Sequence, residues 1–100
     1  IFMGAQGVGP MGIMEVDSLV VQAEEKLMGQ ADELVLLVDS SKFEKRSSLV
    51  LCPLERASTI ITDDEISDKA RQIVEDLGIH LITVRVSADE SSAAVYAFNG

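Results

Sequence analysis

Two periodicities divide this chain. Leu34-Val35-Leu36-Leu37-Val38 is apolar at five consecutive positions. It is too short for a stable helix and has no polar side, the pattern of a central parallel strand buried on both faces. Ile66, Ala70, Ile73, Val74 and Leu77 recur instead at three- and four-residue steps, while Asp68, Lys69, Arg71, Glu75 and Asp76 stay off that stripe. This spacing predicts an amphipathic helix with its apolar stripe inward. Asp63 and Asp64 precede it as an N-cap and first-turn acids, and Gly78 follows where a left-handed C-cap belongs. Thr59 to Thr62 and His80 to Val84 read as the strands on either side.

The first third of the chain is patterned less sharply. Ile1 to Ala5 reads as a short buried strand. It runs into Gln6-Gly7-Val8-Gly9-Pro10-Met11-Gly12, whose glycines and proline predict an irregular loop. Asp17 or Ser18 then caps a helix with Leu19, Val20, Ala23, Leu27 and Ala31 on its apolar face. Gly29 weakens that helix by about 1 kcal/mol relative to alanine. Glu24 and Lys26 stand about 200° apart around its axis, so they do not pair; either one of them points inward or, the commoner case, both are exposed. Asp39-Ser40-Ser41-Lys42 is a polar turn, Ser48 to Cys52 a second short strand, and Pro53 to Arg56 a turn or single helical turn. The sum is an α/β, Rossmann-like fold, a mostly parallel sheet with helices packed on it, over residues 1–84. Residues 85–100 form a C-terminal extension, expected to be mobile or to add a strand.

Composition narrows the function classes. A length of 100 residues is one domain or part of one, and 47% apolar residues suffice for a core. The abrupt apolar start at Ile1-Phe2-Met3, without an initiator methionine, is expected of a piece of a longer protein. Seventeen acids against eight bases give a net charge of −9, which repels a phosphate backbone, so this chain by itself is not expected to bind nucleic acid. One cysteine and one histidine leave no disulfide and no structural zinc site, and no cofactor is expected. No apolar run approaches the roughly 20 residues of a membrane span, and no basic leader opens the chain, so a cytoplasmic setting is expected.

In a parallel α/β sheet, ligands gather at the carboxyl ends of the strands. Three segments fall there: the glycine segment from Gly4 to Gly12, Asp39-Ser40-Ser41-Lys42, and Thr62-Asp63-Asp64. Asp39 is a hydroxyl-binding or acid/base carboxylate, Lys42 a cation for phosphate or carboxylate, and Ser40 and Ser41 are hydroxyl donors. The plain alternative is an ordinary turn with a solvated lysine. The glycines follow neither the dinucleotide fingerprint nor the P-loop pattern. His80 has no nucleophile motif beside it, and Cys52, next to Pro53, reads as a small core residue.

Leu34-Val35-Leu36-Leu37-Val38-Asp39-Ser40-Ser41-Lys42-Phe43 resembles the most recognisable segment of the DeoR family of bacterial transcriptional regulators. There an apolar strand ends in Asp, a variable residue, Ser and Lys. Phe2-Met3-Gly4-Ala5, Gly7-Val8 and Gly12 resemble the family's glycine loop, with Gln6 where many members carry Asp. Ile60-Ile61-Thr62-Asp63 with Leu77-Gly78-Ile79 resembles its closing unit. The resemblance implies the second half of an effector-sensing domain, related in fold to ribose-5-phosphate isomerases. It implies a phosphorylated sugar as effector, and DNA contact only through an N-terminal helix-turn-helix outside this chain. Asp39 and Lys42 would be the family's ligand residues, with Ser40 and Ser41 beside them. Gly4, Gln6 and Gly7 would line the same cavity. A homo-oligomeric sensor without turnover is the favoured reading. The alternative is an isomerase-like enzyme with Asp39 as base and Lys42 as electrostatic stabiliser.

Overall fold

The computed structural model describes residues 1–47 and 49–85. The extension expected over residues 85–100 therefore lies, apart from Arg85, outside the described residues. Four parallel strands form the main sheet, β1 (Phe2–Met3), β4 (Val35–Leu37), β6 (Thr59–Asp63) and β7 (His80–Val84), in the order β1-β4-β6-β7. In register, Met3, Leu36, Ile60 and Leu81 form one row and Leu37, Ile61 and Ile82 the next, on opposite faces. The chain visits these strands in spatial order. Crossovers between parallel strands are right-handed as a rule, so three that step the same way put every connection on one face of the sheet.

Burial agrees with that topology. Met3, Leu36 and Ile60 share one core with Val8, Ile13, Leu51, Leu54 and Val74 from the connections. On the other face Phe2 is 68% exposed, Ile82 is also exposed, and Val35, Leu37, Ile61 and Val84 are half-buried.

The glycine segment is not an irregular loop. It folds as an antiparallel hairpin, β2 (Gly7–Gly9) and β3 (Gly12–Glu15), turned at Pro10-Met11. β5 (Leu49–Cys52) joins β3 antiparallel and completes a second, three-stranded sheet. Glycines predict turns well, but here Val8 and Ile13 supply a fully buried face that fixes the hairpin on the core.

The first helix, α1 (Ser18–Met28), is capped by Asp17, whose carboxylate accepts the Leu19 N–H at 2.8 Å. It stops at Met28, so Gly29 ends it rather than interrupting it, and Ala31 lies outside. Its inward face also differs from the expected one. Leu19, at 72% exposed, and Val20 and Leu27 all face outward, while Val21, Glu24 and Met28 turn in. The helix docks on β3 and β5, rotated roughly a third of a turn from the stripe that periodicity marks. Arg56, from the 3₁₀ turn Leu54–Arg56, fixes its end by donating to the Met28 and Ala31 carbonyls at 3.0 and 3.2 Å.

The second helix, α2 (Asp68–Asp76), starts later than expected. Ser67 is its N-cap, accepting the Ala70 N–H at 3.1 Å, so Asp63 closes β6 and Asp64 lies in the turn between strand and helix. Its face holds as read: Ile66, Ala70 and Val74 are buried, and Ile73 is half-buried against the core. Gly78 takes φ 74°, and the Gly78 and Ile79 N–H groups bond back to Glu75 and Val74. That pair of bonds is a Schellman cap, which a side chain at Gly78 would strain.

The two helix faces predict opposite outcomes. Val74→Asp should abolish cooperative folding, because an unpaired carboxylate in a fully buried position costs several kcal/mol against a total of roughly 5–15. Leu19→Ser should change stability by no more than about 0.5 kcal/mol in urea denaturation.

Candidate functional site

All four strands of the main sheet run the same way, so the residues that follow β1, β4 and β6 emerge at one edge. After β1 comes Gly4, after β4 come Val38 and Asp39, and β6 ends in Asp63. This edge is the carboxyl edge, where helix N-termini and loops converge in parallel sheets.

The turn after β4 is a 3₁₀ helix over Ser40–Glu44, with Asp39 as its N-cap. Asp39 Oδ1 accepts both the Ser41 N–H, at 2.9 Å, and the Ser41 hydroxyl, and the Lys42 N–H bonds the Asp39 carbonyl at 3.1 Å. The plain reading of Asp39 as a turn residue is thus part of the truth. With three residues per turn, Lys42 stands one turn above Asp39 on the same side. Phe43 anchors the segment by packing against the core. Asp39 and Ser41 are exposed, and Ser40 and Lys42 are half-buried.

The hairpin closes on this turn, with β2 packed against Ser40–Glu44. A Cβ at Gly7 would sit 2.6 Å from the Lys45 carbonyl oxygen, a distance that only glycine tolerates without backbone movement. At Gly4 the same position is 3.7 Å from the Leu37 oxygen, ordinary contact. Gln6 contributes its N–H to the hairpin, bonding the Met14 carbonyl at 3.0 Å, and is itself exposed.

Asp63 was absent from the candidate ligand residues, yet it joins the two loops. Its Oδ2 accepts the Ser40 N–H at 2.8 Å and its Oδ1 the Glu65 N–H at 2.9 Å. Burial alone would raise its pKa, but the hydrogen bonds from Ser40 and Glu65 outweigh that and hold the carboxyl below its usual range. The sequence signal was present, since an Asp at the end of a parallel strand reaches the neighbouring loop. Its reading as a helix cap hid that role. Thr62, just before it, is buried, and its hydroxyl has no hydrogen-bond partner among the described residues.

A second acidic group lies away from this edge. Glu15 on β3 is only 7% exposed, and Glu24 on α1 has a buried oxygen without a partner among the described residues. Of the Glu24–Lys26 pair, Lys26 is exposed and Glu24 is thus the one that turns inward. Burial first, and the Glu15 charge second, push its pKa up. Cys52 is buried as expected, and burial raises its thiol pKa too. His80 is exposed at the start of β7. Among the described residues, no three His, Cys, Asp or Glu side chains are grouped to hold a metal ion. No helix among them is long and apolar enough to cross a membrane.

Residues 1–64 match the family model described as the DeoR C terminal sensor domain. Curated relatives include proteins named HTH-type transcriptional regulator UlaR. The one from Shigella dysenteriae serotype 1 is 28% identical over 83 residues, covering 83% of this chain and 33% of the relative. A relative of the same name from Escherichia coli O1:K1 matches at 28% over the same 83 residues, again 33% of its length. The chain thus spans about a third of the length of the curated relatives it matches.

Two substitutions test this geometry. Gly7→Ala should cost about 1–3 kcal/mol in chemical denaturation, because the new methyl displaces the Lys45 backbone. Glu24 binds its proton more tightly when folded, so this group loses stability for the fold as pH rises from the usual carboxylate pKa through its raised one. Glu24→Gln should accordingly raise the melting temperature at neutral pH, with the gain fading as the buffer is taken down toward about pH 4.

Proposed function

Since the chain belongs to the family of DeoR C-terminal sensor domains, we propose that it senses a phosphorylated sugar or sugar derivative for a bacterial transcriptional regulator. That regulator acts in the cytoplasm as a homo-oligomeric repressor of a sugar-utilisation operon, and the domain performs no turnover. The observation that carries this reading is the meeting of the Asp39–Lys42 turn, the Gly4–Gly7 segment and the end of β6 at one sheet edge.

The chemistry of the edge suits such a ligand. The leading N–H groups of the turn are already taken: Ser40 by Asp63, Ser41 by Asp39, and Lys42 by the Asp39 carbonyl. An anion arriving here meets the Lys42 ammonium rather than a row of free amides. Asp39 and Asp63 repel phosphate oxygens but accept hydroxyl protons. A molecule with hydroxyls at one end and an anionic group at the other satisfies both. The Ser40 hydroxyl supplies a further donor and the Ser41 hydroxyl, whose proton goes to Asp39, an acceptor, with the Gly4–Gly7 segment bordering the same edge.

An isomerase-like enzyme is less well supported. It would need a second group to return the proton that Asp39 removes. The neighbouring carboxylate, Asp63, is kept ionised by its two N–H partners and is a poor base. DNA contact belongs to the intact regulator, through a helix-turn-helix in the two-thirds that this chain does not span, and not to a chain of net charge −9.

Calorimetric titration of the intact protein with a panel of sugar phosphates tests the assignment. Lys42→Ala should weaken binding by about 1.5–3 kcal/mol, the worth of a charge-assisted hydrogen bond, and leave stability nearly unchanged. Asp39→Asn should be milder, because the amide oxygen can still cap Ser41 and hold the turn, while the anion's partner Lys42 keeps its charge. Undiminished binding by Lys42→Ala would sink the reading.

A further inference from the structure

Asp63 is the group that ties the proposed effector turn to the rest of the fold. Its two carboxylate oxygens serve two different segments. Oδ2 takes the Ser40 N–H of the turn after β4, and Oδ1 takes the Glu65 N–H of the turn leading to α2. Ser40 and Asp63 are 23 residues apart, so this is a tertiary clamp and not a local cap. The first N–H groups of any helical turn have no acceptor within it. Asp39 supplies one for Ser41, but Ser40 has to find its partner elsewhere, and it finds Asp63.

We propose that Asp63 is a positioning residue for effector binding: by accepting the Ser40 N–H it holds the Asp39–Lys42 turn in the geometry that presents Lys42 to an anion. The proposal rests on the reading of that turn as the effector site. Asp63 acts through the turn and need not touch the ligand. The same carboxylate also holds the Glu65 N–H of the segment that leads into α2.

The sign of the effect separates positioning from simple electrostatics. Removing a carboxylate near Lys42 would, by Coulomb's law alone, tighten an anion. Loss of positioning loosens it. The test uses inorganic phosphate as probe on the intact protein, with amide hydrogen exchange as a ligand-free readout. Asp63→Ala should speed exchange at Ser40 and raise the phosphate dissociation constant about tenfold, or 1.4 kcal/mol. Asp63→Asn keeps one acceptor oxygen and should recover part of that loss. It also carries the test if the alanine variant fails to fold. In a Lys42→Ala background, Asp63→Ala should cost nothing further, since the turn then has no cation left to position.

Asp63 variants that bind phosphate as tightly as the parent, or more tightly, would overturn the proposal. So would a full additional loss on top of Lys42→Ala. If Lys42→Ala itself binds phosphate like the parent, the effector-site reading falls and takes this proposal with it. Parental Lys42 dependence combined with inert Asp63 variants removes the positioning role alone.

Discussion

The parallel pairing of β1, β4, β6 and β7 is the constraint from which the rest of the structure follows. Parallel strands cannot be joined by tight turns, so each connection must cross back over the sheet. With all crossovers stepping the same way, the hairpin, both helices and the two 3₁₀ turns pile onto one face and build one core there. The same alignment sends the ends of β1, β4 and β6 to one edge. Sheet polarity thus creates both the core and the place where the Gly4–Gly7, Asp39–Lys42 and Asp63–Glu65 segments meet. It also leaves Phe2, Val35, Leu37, Ile61 and Ile82 on a face that no described element covers. Parallel sheets are ordinarily covered on both sides. A chain spanning a third of its relatives' length is consistent with that half-dressed sheet.

Polar groups at the edge are arranged by backbone bookkeeping before they serve any ligand. Asp39 and Asp63 divide the N–H groups at the start of the Ser40–Glu44 turn between them. Each aspartate therefore stabilises the loop it would use for recognition. Lys42 is the cation of the turn, in a chain with a large excess of acids. Lys45 and Arg46 follow the turn directly, so this stretch gathers three of the chain's eight bases against the net charge of −9.

Elements with a single strong period were legible in the sequence. The apolar run around Leu36, the strands at Ile60 and Leu81, and the Ile66–Ala70–Val74 stripe all lie where their patterns put them. β4, however, is fully buried on one face only, with Val35 and Leu37 half-buried on the other. The parts that were not legible fail for identifiable reasons. Leu19, Val20 and Leu27 form a good apolar stripe, but local periodicity cannot say which side of α1 meets β3 and β5. Val21 and Met28 win because the small sheet is there, and Glu24 is carried inward with them. The hairpin was obscured by its glycines, whose close approach to the Lys45 carbonyl is visible only once the two segments are folded together. Asp39 and Lys42 could be picked out from the end of an apolar run. Asp63 could be placed at the same edge, but its bond to Ser40 spans 23 residues and has no local signature.

On the proposed reading, the carboxyl edge of the parallel sheet is the effector site. An amide chemical-shift titration of isotopically labelled protein with a panel of sugar phosphates tests it most directly. The account predicts saturable shifts that cluster at Gly4 to Gly7, Ser40 to Lys42 and Asp63 to Glu65, and move together with one dissociation constant. Saturable shifts confined to other segments, such as α1 or the amino-terminal ends of the strands, would contradict it.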